Sequence, residues 1–223
     1  MDAEQARRRY ITQLESVVKQ MLQPLKGVPF NLAIEAITGY KVLEFDIGNG
    51  MHRTILDVLI RAATDAGNEI NRNGIISKRV NEVGNKIEPF VRSALERIPG
   101  VSASIPATHS GKRKAVGYPD IEVCINGAHC YLECKTFNSK TSETTQRSFY
   151  FSPSDEFKVT RDALHFLISY EMRLEGEKYK TAGFKLLALE SLSLDVKHEF
   201  NSDNKRLYSG NHGTRLLAEE RLA

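Results

Sequence analysis

GYPDIEVCINGAHCYLECKTF, residues 117–137, is the most strand-like part of the sequence, yet it carries charge where a strand would carry apolar side chains. Two apolar runs, 118–125 and 128–136, flank Asn126-Gly127, a dipeptide suited to the positive φ angles of a two-residue hairpin turn. Side chains on a strand alternate faces. Ile121, Val123 and Ile125 therefore share one face of the first run, and Asp120 and Glu122 the other. In the second run Leu132 and Cys134 share a face, with Glu133 and Lys135 opposite. Pairing through the turn can put Asp120, Glu133 and Lys135 on one side, at one end of the hairpin. Two carboxylates so placed repel each other unless a cation lies between them. Carboxylate oxygens are the hard ligands that Mg²⁺ takes. A plainer reading also fits: Asp120 after a proline is turn chemistry, and Glu133 and Lys135 are the solvated face of an antiparallel strand.

Outward from the hairpin, the N-terminal half reads as helical. Residues 3–25 carry Tyr10, Leu14, Val17 or Val18 and Met21 at helical spacing, ending near Pro24. Residues 31–37 form a short helix closed by Gly39, and 53–66 another ended by Gly67. Residues 77–98 are the strongest amphipathic helix, with Val80, Val83, Ile87, Val91, Ala94 and Ile98 on one side and a kink or break expected before Pro89. Residues 101–106 read as a strand and 108–114 as a basic loop. Beyond the hairpin, 145–151 reads as a further strand or an extended segment and 159–174 as a helix with a broad apolar face. Residues 183–190 read as a strand buried on both faces, 192–197 as an alternating strand, and 214–222 as a short helix after a polar tail. This order predicts an α/β fold: a mixed central sheet flanked by helices, with a helical N-terminal part. We expect a single domain over 1–223, with a helical region 1–76, a core 77–200 and a C-terminal region 201–223.

Pro119-Asp120, a gap, then Glu133-Cys134-Lys135 resembles the PD-(D/E)xK nuclease motif. In that superfamily the two acidic residues lie on adjacent strands of a mixed sheet, as the hairpin places them here. The resemblance spans about residues 77–190 and is closest to type II restriction endonucleases. It implies an Mg²⁺-dependent enzyme that hydrolyses phosphodiester bonds in double-stranded DNA. Asp120 and Glu133 would ligate Mg²⁺, helped by the backbone carbonyl of Cys134, and Lys135 would orient or help deprotonate the attacking water. Many members add an acidic residue from the preceding helix. Glu82 and Glu88 are the candidates, and Glu88, on the edge of the apolar stripe, is preferred over the solvent-facing Glu82. Restriction endonucleases of this kind work as homodimers on two-fold DNA sites, and a cognate DNA methyltransferase is expected in the same system. A repair nuclease or junction resolvase of the same fold is an alternative, as is a DNA-binding module without catalysis.

Other residues are candidates for DNA contact. Lys112, Arg113 and Lys114 could meet backbone phosphates. Gln146 and Arg147 have the bidentate geometry for base edges. Lys158, Arg161 and His165 would line one side of the 159–174 helix. Lys205 and Arg206 lie in a basic C-terminal stretch.

Composition agrees with a globular domain: 223 residues, 41% hydrophobic and 26% charged, with a formal net charge of +3. The mild basicity is compatible with an anionic partner without requiring one. Cys124, Cys130 and Cys134 are three in number and clustered, which makes no disulfide framework. Their spacing also lacks the pairs of a zinc site. The charged N-terminus has no signal-peptide core and no window reaches the roughly 18 apolar residues of a membrane span, so a cytoplasmic protein is expected.

Overall fold

The computed structural model describes residues 3–23, 25–77, 83–138 and 149–197. The chain forms two compact units, residues 1–27 with 195–223, and residues 28–194. In the first, helix α1 spans Ala3–Met21. Within the same unit Val196 N–H donates to the Leu25 carbonyl at 2.8 Å, and Gly27 N–H to the Asp195 carboxylate at 3.2 Å. No described helix is long and apolar enough to cross a membrane.

The second unit is built on a five-stranded sheet of β2 (Val101–Ser104), β3 (Ile121–Ile125), β4 (Ala128–Phe137), β5 (Leu164–Glu175) and β6 (Lys178–Ala188), in that order. β4 and β5 run parallel and the other neighbours antiparallel, so the sheet is mixed as expected. A separate two-stranded pair joins β1 (Val28–Pro29) to β7 (Ser193–Leu194). The hairpin turn is the one its sequence asks for: Asn126 and Gly127 both take positive φ, 49° and 87°. Its register runs from Ile125 opposite Ala128 to Ile121 opposite Leu132.

Two helices cover one face. Helix α3 (Gly50–Asn73) is capped by the Asn49 side chain, which accepts from the N–H groups of Met51 and His52. Helix α4 (Glu88–Glu96) follows a 3₁₀ turn at Gly84–Lys86, the break expected ahead of Pro89. Leu59, Ala62, Ala63 and Ala66 of α3 and Val91, Ala94 and Leu95 of α4 bury Ile121, Val123, Ile125, Leu132, Phe166 and Ile168. Helix α2 (Phe30–Thr38) covers the other face over Tyr131 and Leu167.

Four readings change. The largest concerns 159–174, which forms no helix: β5 is a central strand, and every residue from Leu164 to Tyr170 is buried. A strand covered on both faces reads as a continuous apolar run, which periodicity alone does not separate from a buried helix. Conversely, β6 is an edge strand whose residues are mostly exposed, not a strand buried on both faces. Gly67 does not stop α3, which continues to Asn73. A Cβ on Gly67 would stand 3.4 Å from the Tyr170 ring and 3.5 Å from the Thr181 methyl, so it marks close helix–sheet approach. Residues 149–151 are irregular rather than a strand, while 145–148 and 214–222 lie outside the described residues.

Candidate active site

The hairpin brings Asp120, Glu133 and Lys135 to the α2 face of the sheet, along the C-terminal half of β4. Asp120 directly precedes β3, and its Oδ2 accepts from the Cys134 N–H at 2.8 Å, which ties it across to β4. Glu133 is only 3% exposed. Its Oε1 pairs with Lys135 Nζ, while its buried Oε2 finds no hydrogen-bond partner among the described residues. Burial and the nearby Asp120 push the Glu133 carboxyl up to about 7, against the pull of Lys135. Burial would lower the Lys135 ammonium, but the glutamate beside it more than compensates and its pKa rises.

Glu88, in the first turn of α4, lines the same cleft, an opening of about 870 Å³ that also takes in Asp120, Glu133, Lys135, Tyr118 and Lys158. Burial, then Asp120, raises its pKa, and Arg92 at 3.9 Å opposes them. The edge position read from the helical wheel therefore faces the carboxylates. Glu82 lies outside the described residues. Glu122 is held elsewhere: its Oε1 meets His129 Nδ1 at 3.1 Å and Arg161 Nε at 3.2 Å.

Lys112, Arg113 and Lys114 are exposed on a loop that is clamped rather than loose. Ala107 bridges Arg113, and the Glu156 carboxylate accepts from Thr108 Oγ1 at 2.8 Å and Ser110 Oγ at 2.6 Å. Those two hydroxyls hold the Glu156 carboxyl below its usual range. The loop runs into the cleft at Lys114.

The trio Lys158, Arg161 and His165 shares no helix, and two of the three are not placed to touch DNA. Lys158 is 2% exposed, with Nζ donating to the carbonyls of Gly117 at 2.6 Å and Pro119 at 2.9 Å. Burial lowers its pKa, with Asp120, Glu133 and Glu88 acting the other way. His165, on β5, is 1% exposed, its Nδ1 hydrogen-bonded to the Tyr118 hydroxyl at 2.6 Å. Burial pulls the imidazole down to about 3, so it is neutral. Arg161 alone is exposed. Gln146, Arg147, Lys205 and Arg206 lie outside the described residues.

Sequence reasoning missed one member of the site wall, Tyr118, and took another, the inward-facing Lys158, for a surface contact to DNA. Tyr118 adjoins Pro119-Asp120 and stood within reach of the motif. Nothing local distinguishes Lys158 from a solvated lysine, because its partners lie about 40 residues earlier in the chain.

The type II restriction enzyme MjaV family matches residues 24–211, which take in the hairpin, the cleft and both strands of the parallel pair. The chain belongs to the MjaV family of type II restriction enzymes. A type II restriction enzyme MjaV from Methanocaldococcus jannaschii is 35% identical over 215 residues, covering 89% of this chain and 93% of that protein. No solved structure matches. The MjaV-family span begins before α2 and ends beyond β7, so it includes every residue lining the carboxylate cleft.

Among the described residues, no three His, Cys, Asp or Glu side chains converge as a ready-made metal cage. The donors present nevertheless fit a hard divalent cation with few protein ligands. Asp120 raises the proton affinity of the buried Glu133, and among the described residues one oxygen of that glutamate is left without a hydrogen-bond partner.

Proposed function

We propose that the chain is an Mg²⁺-dependent, sequence-specific endonuclease that hydrolyses phosphodiester bonds in double-stranded DNA at a PD-(D/E)xK site. The observation that carries this reading is the buried Glu133 Oε2, which has no hydrogen-bond partner among the described residues, on a glutamate that lines a cleft with Asp120 and Lys135. A buried carboxylate oxygen without a donor is costly, and a cation that enters with substrate removes that cost. Family membership supports DNA as the substrate class.

Asp120 and Glu133, with the backbone carbonyl of Cys134, would hold the ion, and Glu88 adds a third carboxylate to the cleft wall. When bound, Mg²⁺ lowers the pKa of the attacking water and offsets negative charge at the scissile phosphate. The protein's own residues do the rest. Lys135 reaches the water and the phosphate from Glu133's side of the cleft, donating to whichever oxygen carries charge. The exposed Lys112, Arg113 and Lys114 meet the backbone on the approach to the site. The chain acts as one functional unit with one site, so cutting both strands of a two-fold target calls for a homodimer. A cognate methyltransferase would protect the host DNA.

Incubation of plasmid DNA with the protein and Mg²⁺, followed by sequencing of the ends, tests the reading. Discrete fragments sharing one short sequence are expected. Absence of cleavage, or cleavage that the Glu133→Ala protein retains, refutes the site.

A further inference from the structure

Besides the half-buried Lys135, the cleft holds a fully buried ammonium for which the motif gives no role. Lys158 reaches in from the segment between β4 and β5, and among the described residues its hydrogen bonds go to two backbone carbonyls, Gly117 at 2.6 Å and Pro119 at 2.9 Å. Those carbonyls bracket Tyr118 and stop one residue short of Asp120. On its far side Asp120 is tied to the Cys134 N–H at 2.8 Å. The aspartate is thus held from two directions, by an ammonium on the backbone before it and by a strand N–H on its carboxylate. Tyr118, between the two carbonyls, is fixed in turn by the His165 ring at 2.6 Å.

Stability alone is a poor reason for an ammonium at this place. Burying a charge carries a large desolvation penalty, and an apolar side chain of similar volume often serves a core as well or better. Lys135 already supplies the cation that pairs directly with Glu133. Resting on the active-site reading above, we propose that Lys158 is a positioning residue. It fixes the 117–119 backbone so that Asp120 and Glu133 present their oxygens to the same ion, leaving Lys135 free to turn from Glu133 to substrate.

Calorimetric titration with Ca²⁺ in the absence of DNA measures ion binding without turnover. Partners behind a metal ligand typically change affinity by about 10–100-fold when removed, and Lys158→Met is expected to weaken Ca²⁺ binding by that much. Binding of metal-free protein to DNA stays as in the parent, and cleavage loses kcat rather than KM. Lys158→Arg keeps the charge but replaces the compact ammonium by a planar fork that does not cap both carbonyls in the same way. It is expected to weaken Ca²⁺ binding as well. Native or tighter Ca²⁺ binding by the Met protein, or full binding by the Arg protein, overturns the proposal, since Lys158 is then a buried charge and nothing more. If the Met protein does not fold by circular dichroism, the Arg protein decides by the same criterion. Asp120→Ala serves as the reference: native Ca²⁺ affinity in that protein refutes the active-site reading itself, whereas its loss together with native affinity in the Lys158 variants refutes only the positioning role.

Discussion

The two faces of the central sheet are made differently. Toward α3 and α4 the contacts are mainly aliphatic and small, with Phe166 and Tyr170 as the buried aromatic members: Leu59, Ala62, Ala63 and Ala66 lie on Ile121, Val123, Leu132 and Ile168. Toward α2 they are aromatic. Phe30 meets Tyr118 edge-on, with ring centroids 5.6 Å apart, and also touches Phe149, Phe151 and His165. The first face is roofed by helices of 24 and 9 residues, the second by a single helix of 9 residues and irregular chain. Glu133 and Lys135 stand in a cleft that Ile34, Ile37 and Thr38 of that short helix also line. A dry, close-packed face holds the strands in register, which lets the opposite face tolerate a repelling carboxylate pair. Stability and chemistry are thus divided across one sheet, and perturbing each face should have separable consequences.

The largest effect is expected from the chemical face. Asp120→Ala or Glu133→Ala should slow plasmid nicking in Mg²⁺ by more than about a thousandfold, equivalent to about 4 kcal/mol in the barrier, and the Glu133→Ala protein should keep a metal-free melting temperature equal to or above the parent's. The reverse outcome is expected across the sheet. Leu59→Ala should cost about 2–5 kcal/mol in urea denaturation, while the folded fraction keeps its specific activity.

Titration sharpens the contrast. Folded-state burial raises the Glu133 carboxyl from 4.5 to about 7, so the folded protein binds that proton more tightly than the unfolded chain. The associated stability is full below pH 4.5, is lost as pH rises to about 7, and does not change further. Relative to Glu133→Gln, the metal-free parent should therefore lose stability across that window, by up to about 3 kcal/mol. Denaturation curves of the two proteins at pH 4.5, 6 and 8 check this, and a constant difference between them would contradict the buried carboxylate. His165 acts at the other end. With its pKa pulled from 6.5 down to about 3, its contribution is full above pH 6.5 and is lost as pH falls toward 3.

Smaller effects follow. Tyr118→Phe leaves His165 Nδ1 without its partner and should cost about 1–3 kcal/mol, read by thermal unfolding. Arg161→Ala breaks a partly exposed ion pair with Glu122 and should change stability by less than about 1 kcal/mol, read by thermal unfolding.

The hairpin was legible because its information is local. A two-residue turn fixes the register, and register fixes which side chains share a face, so Asp120, Glu133 and Lys135 could be grouped from spacing alone. The mixed sheet and its flanking helices were likewise readable from the order of elements. The segment after residue 158 was not readable, because β5 is buried on both sides and so loses the alternation that marks a strand. Taking it for a helix put Lys158 and His165 on a solvent-facing stripe, when one caps carbonyls inside the cleft and the other packs among aromatic rings. Buried polar groups of this kind depend on partners far away in sequence, and no window of neighbouring residues records them.

The parallel pairing of β4 and β5 has a consequence for how such an enzyme can change. A chain that leaves β4 must travel back along the sheet before it can begin β5, and β4 ends at Phe137 while β5 begins at Leu164. The later part of the connecting segment supplies Phe151, Glu156 and Lys158 to the outer wall of the cleft without joining the central sheet. The wall that a DNA substrate meets and the strands that bear the carboxylates are therefore separate pieces of chain, joined at the Lys158 anchor. Grafting the described part of that segment would alter what the cleft admits while Asp120, Glu133 and Lys135 stay where the hairpin puts them.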